Sequence, residues 1–354
     1  MLIEFTDSLK QKKIFILGVT GFIGFAVTKR LVEMGFGNID CLYRSESKKD
    51  EMFRGIDTSA ITFLHGDAAQ LDVLRKGVEG ADIVVNASGL ATDWGIKQEV
   101  WKVNVDAPKA MVRMIEEMGA LTHYIQITSV GIYGFAKEVK TEASPLVKND
   151  RFYTASKVEI HSWLQEEIKR GYKFPITILA PSIVWGPGDQ IYIPTIKDRL
   201  KTKQLFYIGK GERTDFVHID DLVDGILRCF FNEQAYNEEY IVGGYEPFTF
   251  HEYIEKIAEF SELPPPTLTV PVPVVLVVGF LMECLARLVN IFSPRFRPLI
   301  TRFQVRLLSQ PSRLSIAKAR SELGYDPQID FAKGIDGLRE YVCQCSLSGV
   351  DAQD

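Results

Sequence analysis

The fold is decided by the stretch Lys13-Ile-Phe-Ile-Leu-Gly18-Val-Thr-Gly21-Phe-Ile-Gly24 and by the amphipathic segment that follows it, Phe25–Met34. The apolar run predicts a buried strand and the amphipathic segment predicts a helix, so the three glycines turn the chain from one to the other. A tight turn, close helix packing and a backbone that can approach a pyrophosphate all require glycine there. The helix N-terminus would then face the phosphates.

This loop therefore predicts a dinucleotide site with the context of strand, glycine turn and helix. Its spacing is G-x-x-G-x-x-G, and a plain strand-to-helix turn is the alternative. The predicted cofactor-binding residues of the loop are Gly18, Thr20, Gly21, Phe22, Ile23 and Gly24.

The first two-thirds of the chain alternates short β-branched or aromatic runs with longer amphipathic stretches. This alternation is typical of repeated βαβ units, and runs that are apolar throughout indicate strands covered by helices on both faces. The predicted fold is an α/β, doubly wound parallel sheet, the Rossmann fold, with a smaller C-terminal substrate-binding region. The predicted strands are Lys13–Leu17, Ile39–Tyr43, Ile61–Leu64, Asp82–Asn86, His123–Thr128 and Ile176–Ala180.

The alternation weakens after about residue 186, which divides the chain into three parts. Residues 12–186 are expected to form the dinucleotide-binding domain with the catalytic residues. Residues 187–342 are expected to form mainly the substrate-binding region, with a return to the sheet near Tyr240–Val242. Residues 343–354 are expected to be a disordered tail.

Composition limits the functional classes. The formal net charge of −5 gives no overall attraction for nucleic acid, so no nucleic-acid partner is expected. The N-terminus lacks the charged and apolar blocks of a secretory signal, which predicts a cytoplasmic protein. The five cysteines and five histidines are scattered without the paired spacing of metal ligands, so reduced thiols and no metal site are predicted.

Arg44 lies at the end of the second predicted strand, about 20 positions after Gly24. NAD-selective sites place an acidic residue there to hold the ribose 2′-hydroxyl. Arg44 can instead accept a 2′-phosphate, which favours NADP, whereas recruitment of Glu46 or Asp40 would favour NAD.

Two further strand ends join this site, because ligands of open α/β sheets bind at the carboxyl ends of strands. Asp67 follows the third predicted strand, where a carboxylate can take the adenine amino group. Ala87, Ser88 and Gly89 follow the fourth, where small residues would let the adenine ribose lie against the sheet.

Tyr153 and Lys157 stand four positions apart at the start of a predicted helix, so they share one of its faces. A nearby ammonium stabilises a phenolate, and a phenol whose pKa approaches neutrality exchanges protons more readily. Ser129, at the end of the fifth predicted strand, offers a hydroxyl to orient a substrate oxygen. These residues predict an acid–base group, with a solvated tyrosine–lysine pair and a structural serine as alternatives.

The glycine loop with Asp67, Ser129, Tyr153 and Lys157, in this order and spacing, resembles the extended short-chain dehydrogenase/reductase superfamily over roughly residues 12–340. In character it is closest to members similar to 3β-hydroxysteroid dehydrogenase and dihydroflavonol reductase. The resemblance implies an oxidoreductase acting on CH–OH groups with NADP or NAD.

The resemblance also implies roles for further residues. Lys157 would bind the nicotinamide ribose hydroxyls as well, and Asn104 would join a proton-relay network. The backbone near Pro181, Ile183 and Val184 would contact the nicotinamide. A homodimer is implied too, although no segment of the sequence specifies its interface.

Three functions compete. The favoured one interconverts a secondary alcohol and a ketone on an apolar skeleton, such as a sterol-like, polyketide or long-chain compound. Nucleotide-sugar epimerisation or dehydration with bound NAD is weakened because Ile183 stands where such enzymes often carry asparagine, and Thr214 stands where they often carry arginine. A non-catalytic dinucleotide-sensing protein is disfavoured by the intact serine, tyrosine and lysine.

The segment Leu263–Met282 carries no charge, and residues 284–321 carry eight basic residues and no acidic one. This combination suggests peripheral membrane contact through residues 270–310. A buried pocket wall with a basic rim is favoured over it, because apolar helical segments usually belong to cores. A membrane span is not expected, since five prolines interrupt the stretch.

Overall fold

A parallel sheet forms the centre of the molecule in the computed structural model, which describes residues 4–92, 94–119, 123–147, 152–291 and 296–347. The six predicted strands are confirmed, each with its ends within one residue of the prediction. Within the described residues, the sheet contains seven strands, the six predicted ones and β12 at the predicted return. They are β1 (Ile14–Leu17), β2 (Ile39–Tyr43), β3 (Ile61–His65), β4 (Ile83–Asn86), β5 (His123–Ile127), β7 (Ile176–Pro181) and β12 (Glu239–Val242). Their order across the sheet is β12-β7-β5-β4-β1-β2-β3.

Helices cover both faces of the sheet, so the doubly wound prediction is confirmed. On one face, apolar side chains of α2 (Phe22–Glu33), α9 (Ile219–Leu227) and α13 (Ala317–Leu323) pack on the strands, with α3 (Glu46–Met52) at the edge. The opposite face is covered by α4 (Leu71–Val78), α6 (Ala107–Met118) and α7 (Phe152–Arg170). A short helix, α1 (Asp7–Lys10), precedes β1, and α5 (Lys97–Trp101) leads through a π-helical turn into α6.

The strand register brings three loops side by side. Leu17 pairs with Asn86, and Asn86 pairs with Gln126, so β1, β4 and β5 end at one level of the sheet. The strand order reverses between β1 and β4, which is where open α/β sheets bind their ligands. Local sequence places each loop at a strand end, and the register makes them neighbours.

The C-terminal region packs beside this edge around a second aromatic core. It contains α8 (Tyr192–Lys201), α10 (Phe250–Phe260), α11 (Val272–Val289), α12 (Arg302–Ser309) and α14 (Phe331–Leu347). Two short strand pairs connect it to earlier parts of the chain: β6 (Ala136–Lys140) with β15 (Ser312–Leu314), and β8 (Ile183–Trp185) with β11 (Phe216–His218). Two more lie within it: β9 (Tyr207–Ile208) with β14 (Thr269–Val270), and β10 (Arg213–Thr214) with β13 (Phe248–Thr249). The division at residue 186 stays a prediction.

Four of the five prolines precede the apolar helix, the last of them Pro271, which caps α11; Pro273 lies in its first turn, where a missing N–H costs no helical hydrogen bond. One expectation for this region is wrong. The tail does not begin at residue 343, because α14 continues to Leu347; residues 348–354 lie outside the described part.

Candidate active site

The glycine loop leaves a backbone cradle at the start of α2. Gly18 has a left-handed φ of 82°, and a Cβ there would lie 2.8 Å from the Ser88 nitrogen. A Cβ on Gly24 would lie 2.3 Å from the Gly18 carbonyl oxygen. Gly21 caps α2 without any side-chain cap bond, so the first N–H groups of the helix are left to a ligand. This cradle fits a dinucleotide pyrophosphate held by Gly18 to Gly24, with Thr20, Phe22 and Ile23 between them.

A buried amide network that the sequence did not reveal fixes the loop after β4. The Asn86 side chain donates hydrogen bonds to Tyr124 and Gln126, both at 3.0 Å. Its oxygen accepts from the Ser88 hydroxyl at 2.6 Å and from the Ser88 N–H at 3.1 Å. Ser88 and its neighbour Ala87 are thereby held against Gly18, as the close approach of their backbones shows.

The predicted acid–base residues meet at the ends of β4 and β5. The Ser129 hydroxyl lies close enough to the Tyr153 phenol to lower its pKa. The Lys157 ammonium lies 5.9 Å from the centre of the Tyr153 ring and donates to the Ile127 carbonyl at 3.1 Å. A Cβ on Gly89 would lie 3.4 Å from that ammonium, so the loop after β4 runs directly beside Lys157.

Burial dominates the proton affinities of this group. It raises the pKa of Tyr153 above its ordinary value of 10.0, and the nearby Ser129 hydroxyl opposes that rise. It lowers the pKa of Lys157 to about 8. The pKa of Tyr153 thus does not move toward neutrality as the sequence predicted, because desolvation dominates and the Lys157 ammonium faces the Ile127 carbonyl.

Asn104 does not reach the tyrosine and instead joins two elements of the site. It lies in the π-helical turn 102–106, and its side chain is buried. Its oxygen accepts from the Leu90 N–H at 2.8 Å, while its nitrogen donates to the Leu90 carbonyl at 3.2 Å and to Ser156 at 3.0 Å. All its hydrogen-bonding groups thus fasten the loop after β4 to α7.

At the strand ends predicted to hold the adenosine, the Arg44 side chain is exposed. Its guanidinium lies 3.9 Å from the Asp67 carboxylate, and both groups face solvent. The two acidic residues that could have favoured NAD are engaged: Glu46 accepts from the Tyr43 hydroxyl at 2.6 Å and pairs with a lysine, and Asp40 is buried against Lys13 at 2.8 Å.

The backbone predicted to contact the nicotinamide lies where β7 passes into β8. Pro181 ends β7, and the backbone of Ile183 and Val184 pairs with β11. The chain then crosses back over the glycine loop, because a Cβ on Gly188 would lie 3.4 Å from the Phe22 ring and Gln190 donates to the Thr20 carbonyl at 3.3 Å.

Tyr192 was missed by the sequence analysis. It opens α8, and burial and the negative charge of Asp189 raise its pKa, with a smaller contribution from Tyr153. Its phenol is therefore in electrostatic range of the predicted acid, although no motif spacing connects the two. Asp189 itself is buried and accepts the first backbone N–H groups of α8, starting with Ile191 at 2.8 Å.

Comparisons with known proteins identify the family and the fold. Residues 14–243 match the model of the NAD dependent epimerase/dehydratase family. The 2-alkyl-3-oxoalkanoate reductase of Shewanella oneidensis is 24% identical over 93% of this chain and 86% of its own length. The decarboxylating sterol-4-alpha-carboxylate 3-dehydrogenase of Dictyostelium discoideum is 23% identical over 93% of this chain and 100% of its own. Among solved structures, UDP-glucuronic acid 4-epimerase from Bacillus cereus in complex with NAD has a TM-score of 0.74 at 19% identity, covering 94% of this chain and 99% of that one, and so shares the fold.

Proposed function

The chain belongs to the NAD-dependent epimerase/dehydratase family and is an oxidoreductase, and on that premise we propose that it interconverts a secondary alcohol and a ketone on an apolar skeleton. One observation carries the proposal: Ser129, Tyr153 and Lys157 converge beside the glycine loop at the carboxyl edge of the sheet. A single substrate oxygen can meet the serine and tyrosine hydroxyls there.

The nicotinamide, when bound, supplies or accepts the hydride. In ketone reduction, Tyr153 gives its phenolic proton to the substrate oxygen as the carbonyl carbon receives the hydride, and in alcohol oxidation it takes that proton back. The raised pKa keeps Tyr153 protonated at neutral pH, as the reductive direction requires. Ser129 donates a hydrogen bond to the same oxygen, and Lys157 holds the nicotinamide ribose.

An apolar substrate is supported by the residues that replace polar contacts of sugar-nucleotide enzymes. Ile183 offers no amide to a diphosphate. Arg213, one position before Thr214, donates a hydrogen bond to the Pro247 carbonyl at 2.7 Å, and its guanidinium lies 3.9 Å from the Glu252 carboxylate. The names of two relatives, a 2-alkyl-3-oxoalkanoate reductase and a sterol-4-alpha-carboxylate 3-dehydrogenase, describe carboxylates on alkyl and sterol skeletons, which are themselves apolar.

NADP is the proposed cofactor within this nicotinamide-dependent family. The exposure of the Arg44 side chain and the engagement of Glu46 and Asp40 support it. Asp67 would have to release Arg44, and because the arginine is exposed and the two groups are 3.9 Å apart, their ion pair is weak. A homodimer, a cytoplasmic location and the absence of a metal remain predictions.

A cofactor-consumption assay tests the proposal. We expect ketones on steroidal or long aliphatic skeletons to consume NADPH faster than NADH, and Tyr153→Phe to lower turnover by about 10²–10⁴-fold while dinucleotide binding, followed by fluorescence, changes little. Retained turnover in that variant would remove the assigned acid. Conversion of a nucleotide sugar by protein carrying NAD, without net cofactor turnover, would promote the epimerase alternative. NADPH-dependent partner binding with no redox activity would promote the sensing alternative.

A further inference from the structure

The polarity of α11 is inverted relative to an ordinary surface helix. Its 18 residues are long and apolar enough to cross a membrane, yet only 22% of them are buried. The aliphatic side chains on its outer face are 42–64% exposed, although surface helices normally turn such residues toward the core. These outer residues are Val274, Val277, Val278, Leu281, Leu285 and Leu288.

At 3.6 residues per turn the six side chains fall within about 100° of arc. They form one stripe, and the residues that are buried, Val275, Gly279, Glu283 and Ala286, lie on the opposite side of the helix. The buried side therefore holds the carboxylate, and the outer side holds the aliphatic groups.

The buried carboxylate fastens α11 to the protein. Glu283 is fully buried and accepts from the Arg302 backbone N–H and guanidinium, both at 2.8 Å. The two helices approach closely there, since a Cβ on Gly279 would lie 3.2 Å from the Arg302 nitrogen. Rolling the helix to hide its stripe would expose or unpair this buried charge, which is costly.

The surroundings of the stripe are apolar and basic. Leu268, Ile291, Phe296 and Leu299, before and after α11, are also exposed, at 41–70%. Monomers rarely expose contiguous apolar patches beyond a few hundred Å². Arg287, Arg297 and Arg306 are exposed, and in the described part of the chain none of them has a carboxylate within 4.0 Å.

We propose that the outer stripe of α11 docks into one leaflet of an anionic lipid bilayer, with these arginines at the headgroups. Aliphatic groups beside uncompensated basic charge match the two parts of such a surface. The helix is about 27 Å long, shorter than the roughly 30 Å hydrocarbon core, and its bond to Arg302 keeps it against the protein. It therefore lies in the interface and does not span the bilayer. The favoured expectation of a buried pocket wall is wrong for this face.

Two contacts link segments beside the docking surface with the loops that follow β4 and β5. The Trp94 indole, in the loop after β4, donates to the Phe296 carbonyl at 3.0 Å. Phe303 of α12 lies 6.0 Å, ring to ring, from Phe135, which follows the turn after Ser129. Resting on the proposed function, we infer that an apolar substrate enters from the lipid past these loops.

Co-sedimentation of the full chain with vesicles tests the docking without substrate or cofactor. We expect binding to phosphatidylcholine vesicles that contain one-third phosphatidylglycerol, weaker binding to pure phosphatidylcholine, and weakening at about 0.5 M salt. Leu281→Glu with Leu285→Glu should weaken binding by at least about tenfold. Arg287→Gln should weaken it about fivefold on the anionic vesicles alone.

Leu71→Glu is the matched control, because Leu71 is equally exposed but lies on α4. It should bind as the parent does. The proposal would be overturned if the double variant bound vesicles as well as the parent protein does, or if the parent protein bound neither vesicle type. Self-association that the double variant abolishes, without any vesicle binding, would assign the face to a second copy instead. Turnover of a water-soluble ketone reports on the proposed function separately, and the double variant should leave it unchanged.

Discussion

Lys157→Met should change how the stability of the protein depends on pH. Lys157 is buried, and burial lowers its pKa to about 8 from the ordinary value of 10.5. Below pH 8 the lysine is protonated in both the folded and the unfolded chain, and the folded state carries the full desolvation penalty. Between pH 8 and 10.5 the folded chain has lost this proton while the unfolded chain still holds it. Stability should therefore rise with pH in that window.

The two pKa values give the magnitude. Integrated between pH 7 and pH 9.5, the lysine adds about 2 kcal/mol to the free energy of unfolding as the pH rises. Methionine has no proton to lose, so the variant should lack this gain. Loss of the hydrogen bond to the Ile127 carbonyl costs the variant stability too. That cost is the same at every pH and cancels when each protein is compared with itself.

Equilibrium urea unfolding at several pH values measures the effect. The difference in unfolding free energy between the parent and Lys157→Met should shift by about 2 kcal/mol across that interval, in the direction that favours the parent at high pH. Other titrating groups are common to both proteins and drop out. Parallel curves would mean that Lys157 keeps its ordinary pKa, and the burial argument for the site would fail.

Three further results are expected. Gly24→Ala should abolish dinucleotide binding in a fluorescence titration, because the added Cβ would meet the Gly18 carbonyl at 2.3 Å, whereas Gly337→Ala, whose Cβ would be 3.6 Å from Pro187, should bind as the parent does. The kcat/KM for the dinucleotide should fall on the alkaline side with an apparent pKa of about 8, set by Lys157, and a flat profile to pH 10 would contradict its role. Arg44→Ala should raise the KM for NADPH about tenfold or more and leave that for NADH nearly unchanged; an equal effect on both would argue against a 2′-phosphate contact.

The central sheet and the order of the site residues could be predicted because their signals are local. Uniformly apolar runs identify buried parallel strands, and the glycines of the β1–α2 turn identify a close backbone approach. Ser129, Tyr153 and Lys157 stand at strand and helix ends that the same pattern marks. The sequence by itself thus determined which residues reach the carboxyl edge of the sheet.

Contacts between segments that are distant along the chain could not be predicted from the sequence. The Asn86 network and the hydrogen bonds of Asn104 to Leu90 each join elements whose separation along the chain carries no periodic signal. The direction of the Tyr153 pKa shift also depended on tertiary structure, since desolvation is set by everything packed around a group.

The apolar helix α11 shows most plainly what the sequence determines and what only the tertiary structure decides. Hydropathy identified it, and composition identified its basic neighbours, but hydropathy is the same whichever way a helix is turned. Only the tertiary structure decided its orientation, because burying Glu283 against Arg302 fixes the roll of α11 and leaves its aliphatic stripe outside.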